Sequence, residues 1–599
     1  MSYLTAMKKR NLTISNSLIL TSVILALITL PLASQAKDNN KAIQPQAQKS
    51  KLNAADAARF LTQATFGPTD ETIEQLTKAG SYEQWLKQQM DLPATYQLKL
   101  TQDYWLKSCP LNVNGQLIND PAEIVDTWEA NVSRHNIWWD TVLNGEDQLR
   151  QRVAFALSQI FVVSNLPGLL VDSEFGVASY YDTLLKHSFG NYRDLLEDVT
   201  LHPVMGLYLG MLRNQKADLE KNIRPDENYA REILQLFSIG VHKLNIGGTL
   251  KLKNGQPIPT YNQQTIKEFA RVFTGWNYAN VNWFRIIRLG SRILPMKPVE
   301  EFHDRGEKEL LNGTILPANQ NAGDELDATL DNIFNHPNVG PFISKQLIQR
   351  LVTSNPKPTY VARVARVFND NGNGERGDLA AVVSAILLDS EARRSRHRTT
   401  AAFGKLREPL LRLSHVFRAF DLQPNIGEGS FWAHKSCGRD EYPIYVMGKS
   451  WRNLAKLGTE IGQAVLRAPS VFNFYQPDYK PPDISSEKVL HAPEFEIASE
   501  NFTVNTANLI NTSIYKAKPT SGVNVEGYSW LDFSQVTELA NNTDDLLEHL
   551  DRVLLNGAMS RELRTILKQH LTDNNTSQLD KARDAIALIL ISPEYLIQQ

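Results

Sequence analysis

The 599-residue chain predicts a mainly α fold: a multi-helix globular array with short β-hairpins and long loops. Three observations carry this. Apolar residues recur at helical spacing in segment after segment, strict alternation is scarce, and a helix-corner-helix unit occurs twice. The helical segments, taken in order, are residues 54–65, 149–163, 180–185, 192–201, 228–239, 265–273, 360–368, 379–387 and 544–555, with Gly, Pro or Asn at their ends. Residues 247–258 and 285–294 have room for a short hairpin or edge strand each. Long loops are expected at about 100–125, 275–320, 420–450 and 475–530, and loops of this length often carry function.

The repeat aligns without gaps. Leu196-Glu-Asp-Val-Thr-Leu-His-Pro-Val-Met-Gly-Leu-Tyr-Leu209 matches Leu330-Asp-Asn-Ile-Phe-Asn-His-Pro-Asn-Val-Gly-Pro-Phe-Ile343, with Leu, His, Pro and Gly shared. A residue before proline is pushed out of helical geometry, so the first helix of each unit should stop at His202 and His336, and Pro203 and Pro337 should start the next. Each histidine is then expected to cap the exposed carbonyls of the helix that precedes it, with metal ligation as the alternative.

The ends and composition set the class. Lys8, Lys9 and Arg10 precede an apolar run from Leu18 to Leu32, and Ser34-Gln35-Ala36 is a small-x-small cleavage site. Residues 1–36 read as a signal peptide, 37–50 as a polar linker and 51–599 as the helical domain, with subdomains 51–420 and 421–599. The expected location is the periplasm or the extracellular space, with no integral membrane segment after cleavage. A net charge of −2 and a pI near 6.7 give no basic footprint for nucleic acid. Cys109 and Cys437 are the only cysteines; in an oxidising compartment they are a disulfide candidate, the alternative being two unpaired thiols. A Walker loop, a dinucleotide fingerprint, a GxSxG elbow and HExxH are all missing, which argues against NTPases, nicotinamide enzymes, α/β-hydrolases and zincins.

RPDENYAREILQLFSIG, residues 224–240, is the densest polar segment. Local physics explains most of it. Pro225, Asp226 and Glu227 suit a helix start, Glu227 and Arg231 form an i, i+4 pair, and Gly240 suits a left-handed stop. Tyr229, Ile233, Leu236 and Phe237 make one apolar face. Asn228, Glu232 and Gln235 remain on another, as a polar stripe.

His303-Asp304 with Lys308 is the second constellation: a base, a carboxylate and a cation in one loop. Were Glu232 to converge on it, the set Glu232, His303 and Asp304 would suit a divalent metal ion. Trp276, in an aromatic cluster after a helix, is a candidate stacking platform for sugar rings, with core packing as its alternative. Asn369, Asn371, Asn373 and Gly374 imitate half of a calcium loop, but position twelve is Ala380, so they read as a polar turn, with Asp378 as N-cap to Leu379.

RFLTQATFGPT (59–69), LRQRVAFALSQIFVVS (149–164), FGNYRDLLEDVTLHPVMGLYL (189–209), PDENYAREILQLFSIG (225–240), ARVFTGWNY (270–278), FHDRGEKELL (302–311) and RGDLAAVVSAILLDSEAR (376–393) together resemble the successive blocks of the bacterial DUF1800 family. The resemblance runs from about residue 51 to the end. It implies a predominantly helical exported protein, often encoded beside a sulfatase-like or alkaline-phosphatase-like exported protein, and it implies no established reaction. Many members read like FWHNHF where this chain has Phe155 to Phe161, and like ELHTLG where it has Gln235 to Gly240, so histidines of those relatives are absent here. Asn228, Tyr229, Arg231, Glu232, His303, Asp304 and Lys308 match the pattern.

The expectation is therefore a hydrolase-like or polysaccharide-modifying envelope or extracellular protein acting on extracellular polysaccharide. Glu232 would be acid/base or ligand, His303 and Asp304 ligand or base, and Asn228, Tyr229, Arg231, Lys308 and Trp276 binding residues. The competing expectation is a non-catalytic scaffold for a co-encoded exported sulfatase-like or phosphatase-like enzyme.

Overall fold

One continuous apolar core runs from Ala57 in the first helix to Tyr595 near the C-terminus. The computed structural model describes residues 52–108, 130–166, 168–281, 284, 291–394, 402–423, 425–426, 429–432, 443–446, 449–450, 457–482, 490–515, 529–573 and 576–599. The expected leader and linker, Cys109, Cys437 and most of the second expected hairpin lie outside these residues. Leu52–Gln599 forms one compact unit. The helix Ala54–Ala64 packs on Thr543–Leu555, and the strand Lys405–Leu406 pairs antiparallel with Ile597–Gln598, so early and late parts of the chain share the same core. No helix among the described residues is long and apolar enough to cross a membrane.

The protein is mainly helical, and among the described residues its strands form only two-stranded antiparallel pairs. The helix Tyr192–Leu201 has the bounds the sequence predicts. Asn228–Gln235 is shorter than expected: it ends at Gln235, and Ile239 and Gly240 both donate their N–H to Leu234 O (3.0 Å each) in a wound exit. Gly240 takes φ +68°, as a left-handed stop requires, and a Cβ there would lie 2.7 Å from the Phe342 ring. Asp378 caps Leu379–Leu388 by accepting the N–H of Ala381 at 3.0 Å. In the asparagine turn, Asp370 Oδ1 accepts from Gly372 and Gly374.

Two expected loops hold helices. Gln97–Ser108 enters the first, and Glu500–Tyr515 sits inside the last. In the other two, short strand pairs organise the chain: Trp276–Asn277 with Lys297–Pro298, Lys308–Glu309 with Ile315–Leu316, and Gly429–Trp432 with Pro443–Val446.

The repeat is real in space. Tyr192–Leu201 packs against its counterpart Ala322–Phe334, and Arg193 joins them through Asp331 (2.7 Å) and Asp327 (3.3 Å). The first corner falls as expected, with His202 ending one helix and Pro203 beginning the next. In the second, the helices stop at Phe334 and restart at Val339, leaving a longer corner. The histidines do not cap the preceding carbonyls. Each instead turns forward: His202 Nδ1 accepts the N–H of Val204 (3.2 Å), and His336 Nδ1 accepts that of Asn338 (3.1 Å). A ring nitrogen can accept only when unprotonated, so both rings are neutral acceptors, His202 as N-cap of Pro203–Tyr208 and His336 within the corner before Val339.

Burial pushes both histidines down, His202 to about 3 and His336 to about 4, the latter helped by Lys243 and Arg376. In the unfolded chain the value is about 6.5. As pH falls below that point the unfolded state takes up protons first, so stability present above about 6.5 is lost toward pH 4, at up to ~1.4 kcal/mol per pH unit for each histidine. A His202→Asn, His336→Asn double variant keeps an acceptor at each corner. Its unfolding free energy, measured by urea titration, should fall less steeply between pH 6.5 and 4 than that of the parent; an identical slope would refute the assignment.

Candidate functional site

The polar stripe divides on folding. Asn228 is exposed at the helix start, its backbone N–H bonded to Asp226 Oδ1 (2.8 Å). Tyr229 belongs to the core: its ring meets Phe273 edge-on, its hydroxyl donates to Thr200 Oγ1 (2.7 Å), and burial holds it far above the ordinary tyrosine range. Arg231 pairs with Glu227 at 3.1 Å, as the spacing predicts. Glu232 is 5 % exposed, its Oε2 makes no hydrogen bond within the protein, and burial pushes its carboxyl above the usual range. Gln235, half-buried, lines the cleft described below.

His303, Asp304 and Lys308 do come together, in a buried network whose contacts occupy Asp304 and Lys308. Burial raises Asp304, yet its bidentate bonds from Arg271 (both 3.0 Å) and the N–H of Gly306 (2.9 Å) win and hold the carboxyl below the usual range. Lys308 spends its three ammonium hydrogens on Asp304 O (2.5 Å), Gly306 O (2.9 Å) and Glu325 Oε1 (2.8 Å). His303 Nδ1 donates to Thr274 O (3.0 Å), and its Nε2 lies 3.2 Å from Glu325 Oε2 without forming a hydrogen bond. Gly275, at φ +87°, lets the chain pass; a Cβ there would lie 2.9 Å from His303. The network fastens the 302–308 loop to the helices Gln263–Val272 and Ala322–Phe334.

None of its contacts is with Glu232, and among the described residues no three His, Cys, Asp or Glu side chains are grouped to hold a metal ion. The expected set of Glu232, His303 and Asp304 therefore does not assemble. Trp276 is 3 % exposed and packed in the main core, with no face open to a sugar ring.

The structure puts a cleft of about 490 Å³ elsewhere, between the end of the Asn228–Gln235 helix, the helix Val339–Leu351 and the 471–478 segment. Its floor is rich in unused donors. Arg350 Nε, Gln346 Nε2 and Asn473 Nδ2 make no hydrogen bond within the protein, although these residues are only 3 %, 7 % and 6 % exposed. Asn473 is held in the left-handed region, φ +69°. Lys345 lies on the same wall, where burial lowers its ammonium. Asp478 is the only carboxylate among the lining residues, and it is exposed. Val241, Leu250 and Phe472, all more than two-fifths exposed, make an apolar rim.

Beneath this floor lies a buried charge network. Lys405 Nζ reaches Glu494 Oε1 (3.1 Å), Glu408 Oε1 (3.4 Å) and Arg350 O (3.0 Å). Glu408 Oε2 accepts from Gln159 and Gln463 (2.6 Å each), and Tyr475 donates to Gln159 Oε1 (3.0 Å). Arg152 donates to Arg350 O at 2.7 Å. Burial raises Glu408, but Lys405 and Arg152 outweigh it and hold the carboxyl down, whereas at Glu494 burial prevails and pushes the carboxyl up. Three cations, Arg152, Arg350 and Lys405, thus face two carboxylates, and the surplus is positive. Arg350 adds to it at the cleft without any carboxylate in contact: its guanidinium bonds only the carbonyls of Gln346 (3.2 Å) and Gln159 (2.8 Å).

Sequence reasoning passed over this site because Gln346, Gln349 and Arg350 lie just beyond the aligned repeat, which ends at Ile343. The signal available was their i, i+3, i+4 spacing on a helix otherwise apolar at Ile343, Leu347, Ile348 and Leu351.

A family model described as a protein of unknown function (DUF1800) matches residues 59–597. Neither the curated proteins nor the solved structures include a match to the chain.

Removing one member of a buried ion pair leaves its partner uncompensated, at about 3–5 kcal/mol. Lys405→Met should therefore lower the unfolding free energy by about that amount, whereas Lys308→Met, in the separate His303 network, should destabilise without changing any ligand bound at the cleft. Urea denaturation checks the first; a loss under about 1 kcal/mol would mean the network is solvated.

Proposed function

The chain belongs to the DUF1800 family, and from that premise we propose that it binds the anionic groups of an acidic extracellular polysaccharide, uronate or sulfate, in the cleft floored by Gln346, Arg350 and Asn473. The observation that carries this reading is the set of three buried donors, each without a partner and each lining the cleft. An unpaired buried N–H costs about 1–3 kcal/mol, and an anion that accepts from all three recovers that cost while neutralising the surplus charge of the network beneath. Charge-assisted bonds to carboxylate or sulfate are the strong ones. The exposed Phe472 ring and its aliphatic neighbours supply flat apolar surface for the carbohydrate that carries the acid.

The cleft supports recognition better than hydrolysis. Glycoside hydrolysis uses a pair of carboxyl groups flanking the bond, and Asp478 has no second carboxylate beside it among the lining residues. The apolar leader read in residues 1–36 supports a location outside the cytoplasm. A neighbouring sulfatase-like exported protein, which the family resemblance implies, would work on the same class of polymer.

Calorimetric titration with an oligogalacturonate, and with a neutral oligosaccharide of equal length, tests the proposal. The acidic ligand should bind and the neutral one should not, with an affinity that falls as salt rises. Gln346→Leu, which removes a donor while keeping the side chain's bulk, should weaken binding about tenfold, or ~1.4 kcal/mol. Equal binding of the two ligands, or no binding of either, would overturn it.

A further inference from the structure

A short chain of hydrogen bonds ties an imidazole to the floor of the cleft. Gln349, next to Arg350 on the helix Val339–Leu351, donates its Nε2 to Pro477 O at 2.8 Å and to Ser354 O at 3.0 Å. Asp478 follows Pro477, and its carbonyl accepts from His491 Nδ1 at 2.9 Å. Gln349, Asp478 and His491 all line the cleft. The His491 backbone is fastened as well. Its N–H donates to Asn355 Oδ1 and its carbonyl accepts from Asn355 Nδ2, at 2.8 Å each, while the N–H of Ala492 donates to Tyr479 O at 2.9 Å.

A carbonyl can only accept, so Nδ1 carries the proton of the neutral ring and Nε2 keeps a lone pair. Nothing else among the described residues bonds to the ring. Burial lowers the imidazole, helped by Lys345 and Lys480 and opposed by Asp478, so at pH 7 it is neutral and able to take a proton. A ring of fixed tautomer, mounted on a rigid segment beside three unpartnered donors, is placed as a general base is placed.

We propose that the cleft cleaves the uronate polymer it binds by β-elimination, with His491 as the base. This rests on the anion-binding reading above and adds a reaction to it. With the uronate carboxylate held by Arg350, Gln346 and Asn473, the hydrogen on the adjacent ring carbon, C5, becomes acidic, because its removal places charge on oxygens that the three donors already face. His491 Nε2 takes that proton, and the electron pair of the C5–H bond becomes the C4=C5 double bond. The C4–O bond to the next sugar breaks, and the departing oxygen takes a proton from solvent water, to which His491 later returns its own. Elimination needs no second carboxylate, which suits a cleft whose one lining carboxylate is the exposed Asp478.

The test incubates the purified protein with oligogalacturonate and with oligoalginate and follows the ultraviolet absorbance of the unsaturated C4=C5 uronate, while calorimetry on the same ligands reads binding separately. A ligand that binds should yield the unsaturated product. His491→Asn should lower kcat at least about a hundredfold, far more than it raises KM. The parent's kcat/KM should fall with acidification below the ordinary histidine value of about 6.5, as the ring takes up a proton, and that limb should be missing from the residual activity of the variant. Binding without the unsaturated product overturns the inference and leaves the anion-binding reading standing, whereas no binding of either ligand overturns both. New reducing ends without the chromophore would mean hydrolysis and overturn it too, as would a His491→Asn variant with the parent's kcat.

Discussion

The C-terminal end of the helix Val339–Leu351 needs partners, and much of the molecule is arranged to provide them. The last carbonyls of a helix have no acceptor role within it and carry the negative end of its dipole. Here they are buried. Arg350 O takes both Lys405 and Arg152, and Gln598, one residue from the chain's end, donates to Leu351 O (2.9 Å) and Val352 O (3.3 Å). Two cations sunk at one helix end need carboxylates, and Glu408 and Glu494 answer them. The strand pair of Lys405–Leu406 with Ile597–Gln598 places Lys405 opposite Gln598, so the same short ladder delivers both. Gly404 permits the approach, since a Cβ there would stand 2.8 Å from Gln598 O.

This arrangement has a chemical consequence one layer above. With the carboxylates committed to Lys405 and to the amides of Gln159 and Gln463, the guanidinium of Arg350 is left bonding carbonyls only, and its Nε, like the amide nitrogens of Gln346 and Asn473, has no partner at residues that line the cleft. A floor of donors over a positive surplus is a site for anions. Outside the cleft lining, Glu232 Oε2 and the Tyr261 hydroxyl are also buried without a hydrogen-bond partner. A buried donor without a partner calls for an explanation, and a bound anion supplies one for the three at the cleft.

The helical class was legible because many helices show one apolar face to the shared core, as in Tyr192–Leu201 and Thr543–Leu555. Helices that are buried nearly all round were harder to read. Pro409–Ala419 buries Arg412, Ser414 and His415 among its leucines, so polarity interrupts the periodic pattern. The repeat was visible, but the histidine role was not, since spacing cannot tell whether a ring turns back to carbonyls or forward to an N–H. Glu232 stood out from its stripe, and its burial agrees with that. His303, Asp304 and Lys308 stood out as well, yet their partners Arg271 and Glu325 come from helices that the sequence does not place beside them. The cleft was illegible for the same reason: Gln235, Gln346 and Asn473 meet only after the 471–478 segment folds across the helix.

The most direct measurement is a crystal structure of the protein with a bound digalacturonate. The account requires a ligand carboxylate within hydrogen-bonding distance of Arg350 Nε, Gln346 Nε2 and Asn473 Nδ2, with the sugar against Phe472. A digalacturonate bound away from that floor, or those three donors found satisfied by ordered water while the ligand sits elsewhere, would contradict it.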